Sequence, residues 1–238
     1  QVNWEEARYQ RPEDYPDFNA FFTRELKAGA RPIEGDDATI VSPADGHISQ
    51  VGRIDGDAVF QAKGHDFSIT DLLGGDPARA EAFRDGSFVT IYLSPRDYHQ
   101  VHMPLTGKLR ETVYIPGRLF SVAPHTVRTI PRLFARNERL ASVFQTEAGP
   151  MAMVLVGAIN VAAIETVWAG LVTPPPRDSD AILNQQPHGL ELARGAEMGR
   201  FNMGSTVILL FAKDRANWHD GLQAEQSVQM GQALGERN

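Results

Sequence analysis

Apolar residues in this chain fall mostly into short unbroken runs, and only one segment shows clear helical spacing. Val59 to Ala62, Phe88 to Leu93, Leu109 to Ile115, Leu140 to Thr146 and Thr206 to Phe211 each predict a strand. Ile40 to Ile48 predicts strand, turn, strand, with Asp45-Gly46 as the turn signal. The run Met151 to Val172 is long enough to be mistaken for a membrane span, but it carries Asn160 and Glu165. An acid at mid-span costs roughly 2.5–3.5 kcal/mol. With Gly157, Gly170 and many β-branched residues, the run predicts two consecutive buried strands.

Phe18, Phe21, Phe22 and Leu26 lie at helical spacing behind Asp17, a residue suited to an N-cap. They predict an amphipathic helix over Asp17 to Leu26, broken at Gly29 to Pro32. Ile69 to Leu73 and Pro77 to Phe83 predict short helices around Gly74-Gly75. Ser94-Pro95, with Asp97 following, predicts a further helix that Pro104 ends. Pro174-Pro175-Pro176 opens a polar stretch to about Gly189 that reads as a loop, and Asp220 to Glu236 reads as a loose polar tail or helix. There is no internal repeat. The pattern predicts one domain over residues 1–238, a β-rich α+β fold with a barrel- or sandwich-like core and a few short peripheral helices.

Composition narrows this picture. Hydrophobic residues make up 42% and charged residues 22%, enough apolar material for a packed core. The 23 Lys and Arg against 30 Asp and Glu leave a net charge of −7, so no nucleic-acid partner is expected. The absence of Cys excludes disulfides, thiolate metal sites and Cys nucleophiles. The chain starts at Gln1 without Met or a signal-like segment, and we expect a natural N-terminal part to be missing.

The step Gly204-Ser205-Thr206 opens directly into an apolar run. Taken alone, such a step is a strand-start turn with a capping hydroxyl. Chemically it offers more. Gly204 carries no Cβ, so its carbonyl can be approached closely, and Ser205 Oγ lies one residue downstream. A nearby base could drive Oγ onto that carbonyl and convert the amide to an ester. Elimination would then leave dehydroalanine, and hydrolysis a pyruvoyl group. Tyr98-His99-Gln100-Val101-His102 supplies candidate bases. On the helix predicted from Ser94, His99 and His102 at i and i+3 share a face, whereas on a strand they would oppose one another. Paired structural histidines are the plainer reading of the motif by itself. His47, His65 and His125 lack metal-ligand spacing, so no metal site is expected. Asp45 is an ordinary turn residue unless it orients an imidazole. Asp45, His102 and Ser205 would then form a base–nucleophile set. The Gly-x-Ser-x-Gly elbow of conventional serine hydrolases is absent.

These residues sit within a longer series: Phe21-Phe22-Thr23-Arg24-Glu25-Leu26, Ser42-Pro43-Ala44-Asp45-Gly46, Gln61-Ala62-Lys63-Gly64, Tyr92 to Pro104, Phe134-Ala135-Arg136-Asn137-Glu138-Arg139, Glu165-Thr166-Val167-Trp168-Ala169-Gly170 and Gly195 to Phe201. In that order, from about Phe18 to Phe211, the chain resembles the bacterial phosphatidylserine decarboxylases. The resemblance implies a self-cleaving proenzyme cut between Gly204 and Ser205, into a β chain of residues 1–204 and an α chain of 205–238 headed by a pyruvoyl group derived from Ser205. Asp45 and His102 would be the partners of Ser205 in cleavage, and His99 would act in decarboxylation. The pyruvoyl ketone would form a Schiff base with phosphatidylserine and yield phosphatidylethanolamine. Met203 stands where the family commonly has Leu, a change of no expected consequence.

The implied location is the cytoplasmic side of the cell membrane, held peripherally, with the Phe-rich helix as a candidate contact. A homodimer is compatible with this. With position 205 an ordinary serine in the sequence, an uncut precursor is the expected state. The rival readings are a lipid-directed serine hydrolase with an uncut Asp45/His102/Ser205 triad, and a non-enzymatic β module that binds lipid or a partner.

Overall fold

The computed structural model describes residues 2–159, 163–173, 183–185, 189–202 and 205–238. In chain order the elements are α1 (Phe18–Phe22), β1 (Thr39–Val41), β2 (Gly46–Arg53), β3 (Ala58–Ala62), β4 (His65–Ser68), α2 (Ile69–Leu72), α3 (Pro77–Glu81), β5 (Ser87–Leu93), β6 (Gln100–His102), β7 (Gly107–Ile115), α4 (Pro124–Val127), α5 (Leu133–Arg136), β8 (Arg139–Thr146), β9 (Gly149–Val156), β10 (Ile164–Thr166), β11 (Gly170–Thr173), β12 (Leu183–Gln185), β13 (Glu191–Leu192), β14 (Glu197–Phe201), β15 (Ser205–Phe211), β16 (Ala216–Trp218), β17 (Ser227–Val228) and β18 (Ala233–Arg237).

A nine-stranded sheet carries the molecule, in the order β12-β7-β8-β9-β15-β5-β2-β17, with β13 also on β7. Its ladders are antiparallel. A four-stranded sheet, β11-β10-β14-β6, and a three-stranded one, β1-β18-β16, accompany it. Among the described strands no sheet closes into a barrel, so the core is of the sandwich kind.

The central strand β15 explains its own sequence. Successive strand side chains point to opposite faces. Val207, Leu209 and Phe211 join the core that contains Val101, Ile164 and Phe201 of the smaller sheet, together with Leu234. Ile208 and Leu210 join the opposite core, made with Val59 of β3, Phe67 of β4, Leu72 and Phe134 of the short helices, and Phe83 in the turn after α3. A strand covered on both faces has no polar side to show, hence the unbroken apolar run.

Most predicted elements are present, β1, β3, β5, β7, β8 and β15 among them. Asp17 caps α1, its carboxylate accepting from Ala20 N at 2.8 Å, although the helix spans only Phe18–Phe22. Asp45-Gly46 does turn the chain, but β1 and β2 pair with different strands instead of with each other. Gly46 is required by packing, because a Cβ there would lie 2.3 Å from the Tyr92 carbonyl oxygen.

Three expectations are corrected. Ser94-Pro95 starts no helix: the Asp97 carboxylate accepts from Ser94 N at 2.7 Å and Ser94 Oγ at 2.8 Å, closing a tight turn. The capping signal was real, but pairing of β6 with β14 and burial of Val101 draw the following residues into a strand. Asp220 to Glu236 is no loose tail or helix. It carries β17 and most of β18, and β18 is held between β1 and β16. The Pro174 to Gly189 stretch contains β12, paired to β7. The rest of that stretch, 174–182 and 186–188, lies outside the described residues.

Candidate active site

The first strand residue of β15, Ser205, lies in register with Leu93 at the end of β5. The chain leaves β5 there, turns through Ser94 to Asp97 and reaches His99. His99 Nε2 returns to the Ser94 carbonyl at 3.1 Å. The His99 carbonyl in turn accepts from Phe201 N at 3.0 Å, at the end of β14. His99 is thus bracketed by the residue next to the partner of Ser205 and by the strand that leads toward Ser205. Gly204 and the Ser205 side chain lie outside the described residues, and with them the state of the Gly204–Ser205 peptide.

His99 is fully buried. Its ring stacks on Phe22 of α1, with centroids 4.0 Å apart and planes at 21°. A carbonyl only accepts, so Nε2 carries the ring hydrogen and Nδ1 is bare. Among the described residues, Nδ1 has no hydrogen-bond partner. Burial, reinforced by the nearby Arg24 guanidinium, pushes the His99 pKa down to about 3. Arg24 itself donates to the carbonyls of Arg96 and Asp97 at 3.2 and 3.3 Å, pinning the turn.

His102 sits in β6, and its backbone N donates to the Pro43 carbonyl at 2.8 Å, beside the turn that holds Asp45. Its Nδ1 meets the Gly195 carbonyl at 2.9 Å and its Nε2 meets the Tyr98 hydroxyl at 3.0 Å. Burial lowers its pKa, opposed by the Gly195 hydrogen bond and the charges of Glu197 and Asp45. The two imidazoles therefore have separate surroundings, in place of the shared helical face that the sequence predicted. The Asp45 carboxylate takes Arg31 Nε at 2.9 Å, Arg31 Nη2 at 2.5 Å and the Met230 backbone N at 2.8 Å. Arg31 Nη2 also reaches Glu6 at 2.8 Å. Asp45 lies near enough to His102 to act through its field.

A cavity of about 580 Å³ opens beside the same strand ends, lined by Tyr92 and Ser94 and by the cations Lys63, Arg96 and Arg128. Phe60, Val122 and Val127 give it apolar walls. Among the described residues, no group of three or more His, Asp or Glu could hold a metal ion.

Sequence reasoning gave no role to Phe22, Arg24, Arg31, Tyr98 or Gln100. A signal existed in the first two: Arg24 follows directly on the apolar side of a helix, where a cation survives only with partners. Nothing local to Arg31 foretells its ion pair with Asp45, which closes across the fold.

The profile of the phosphatidylserine decarboxylase family matches residues 18–236. Relatives named phosphatidylserine decarboxylase proenzyme are similar along nearly the whole chain. That of Nitrosococcus oceani is 57% identical, covering 99% of this chain and 77% of the relative. That of Azotobacter vinelandii is 56% identical, covering 99% and 83%. That of Alkalilimnicola ehrlichii is 63% identical, covering 88% and 73%. With likeness on that scale, the chain belongs to the phosphatidylserine decarboxylase family.

Proposed function

We propose that this protein converts phosphatidylserine to phosphatidylethanolamine and carbon dioxide, using a pyruvoyl group formed from Ser205 when the chain cuts itself between Gly204 and Ser205. The observation that carries the reading is the register of Ser205 on Leu93, with the neighbouring Ser94 holding His99. The bare, buried Nδ1 of His99 fits the group, because a substrate amine brought there supplies the missing donor. When present, the pyruvoyl carbonyl would supply an electrophile for that amine and a sink for the electron pair left by carbon dioxide.

His99 rests neutral, so it begins as a base. We assign Nδ1 to take a proton from the arriving ammonium and to return one to the substrate α-carbon after carbon dioxide leaves. The Nε2–H bond to Ser94 fixes the ring orientation throughout, and Phe22 keeps water off its face. The adjoining cavity suits the phosphodiester and the start of the acyl chains, with cations for the former and apolar walls for the latter.

We assign His102 as the base for self-cleavage, with Asp45 acting on it electrostatically and Ser205 as the nucleophile. The tails of the substrate must stay with a bilayer. Phe18, Ile159, Val167 and Leu171 are exposed apolar residues suited to that surface. Asn19 beside Phe18 reaches Asn202 at 3.3 Å, and Asn202 N donates to the Ala163 carbonyl, which links α1 to the β10–β11 hairpin. Among the described residues, no helix is long and apolar enough to cross a membrane.

Mass measurement under denaturing conditions tests the proposal. Active protein should give two pieces, residues 1–204 and 205–238, the second lacking a free amino terminus. A fully active preparation of intact chain mass sinks it and favours an uncut serine enzyme.

A further inference from the structure

We propose that Tyr98, itself oriented by Gln100, is the positioning residue that stabilises the His102 ring once its Nε2, left bare by the Gly195 contact at Nδ1, has taken a proton. The inference rests on the reading of His102 as the base for self-cleavage.

The argument is an accounting of hydrogens. Tyr98 Oη lies 3.0 Å from His102 Nε2 and 2.7 Å from Gln100 Oε1. Gln100 Nε2 donates to the Thr23 carbonyl at 3.1 Å, so its amide oxygen is the end turned to Tyr98. His102 Nδ1 faces the Gly195 carbonyl at 2.9 Å, so Nδ1 carries the hydrogen and Nε2 is bare in the neutral ring. Two acceptors, Gln100 Oε1 and His102 Nε2, then compete for the single phenolic hydrogen. Tyr98, Gln100 and His102 are all buried, and among the described residues neither acceptor has a second hydrogen-bond donor.

Protonation of the ring removes the conflict. Nε2–H donates to the Tyr98 oxygen, Tyr98 O–H donates to Gln100, and every polar atom in the row is paired. In self-cleavage the Ser205 Oγ–H bond breaks, its proton adds to Nε2, the freed Oγ electron pair forms the bond to the Gly204 carbonyl carbon, and the carbonyl π pair moves onto the carbonyl oxygen. The row is thus complementary to the state reached as the nucleophile forms, which is where stabilisation accelerates a reaction. Burial raises the Tyr98 phenol above its ordinary range, so Tyr98 keeps its proton and acts through His102. The charged groups acting on the ring are Glu197 and Arg200 of β14 and Asp45 of the turn before β2. Tyr98→Phe touches none of them.

Nitrogen-15 NMR of the histidine side chains, in full-length protein blocked by Ser205→Ala, reads the tautomer and the titration directly. The parent should show the Nδ1–H tautomer of His102. Tyr98→Phe should lower the His102 midpoint by about one pH unit, a tenfold change in proton affinity. Gln100→Met should lower it in the same direction, because Tyr98 is then free to donate to the bare Nε2. With Ser205 restored, both variants should cut themselves about 10- to 100-fold more slowly near neutral pH, within the range lost with a supported base. An Nε2–H tautomer in the parent, or unchanged midpoints in both variants, overturns the proposal. Gln100→Met keeps the test decisive if Tyr98→Phe does not fold. A His102→Ala chain that still cuts itself defeats the underlying reading and leaves the hydrogen-bond assignment standing on the titration alone.

Discussion

A buried neutral histidine leaves a mark that equilibrium measurements can read. In the folded chain the His99 pKa lies at about 3. In the unfolded chain it returns to about 6.5. Between those values the unfolded state binds a proton that the folded state refuses. The contribution is therefore complete above about pH 6.5 and is lost as pH falls toward 3, at up to about 1.4 kcal/mol per unit for this residue. His102, also lowered, adds in the same direction. Urea midpoints at pH 5 and pH 7 should show the loss, and His99→Gln should flatten it. In activity, His99→Gln should still yield both pieces but turn over about 10²–10⁴-fold more slowly. His102→Ala and Asp45→Asn should stay uncut, as Ser205→Ala must. A His99 variant that fails to cut beside a His102 variant that cuts normally would reverse the division of labour.

At the scale of elements, β15 is both the middle of the large sheet and the segment that begins at the proposed cut. Leu209 is fully buried, and Leu209→Ala should cost about 2–5 kcal/mol. Cutting before Ser205 would leave β15 paired to β5 and β9, and β18 paired to β1. The pieces 1–204 and 205–238 should therefore co-elute in native gel filtration and separate only on unfolding. A short piece that dissociates in native buffer would contradict the sheet order. The C-terminal strands matter for the same reason: deleting residues from Ala233 onward should unfold the region around β1, because Leu234 is buried and β18 is the strand paired to β1.

For the whole molecule, the net charge of −7 opposes general attraction to anionic lipid. Attachment through Phe18, Ile159, Val167 and Leu171 should rest on apolar burial. Vesicle co-sedimentation should then change little between low and high salt, while Phe18→Asp weakens it. A collapse of binding at high salt would point to a basic patch instead.

Much of this was legible one residue at a time. The unbroken apolar run from Thr206 to Phe211 required a strand covered on both faces, and the Asp17 cap, the Gly74-Gly75 break and the order of motifs from Phe18 to Phe211 could be read without coordinates. Such features depend on neighbours in the chain, or on a hydrophobic period that a single element imposes on itself. Tertiary structure decided the rest. A Ser-Pro-x-Asp capping signal serves a tight turn as well as a helix, and only pairing with β14 made Gln100–His102 a strand. A polar C-terminal segment became β17 and β18 because partners far away in sequence supplied hydrogen bonds. The fold also gave Asp45 to Arg31, His99 to Phe22 and His102 to Tyr98. The first two follow from chain closure between separate segments, and the third from the path that strand pairing gives to residues 98–102, which no local pattern encodes.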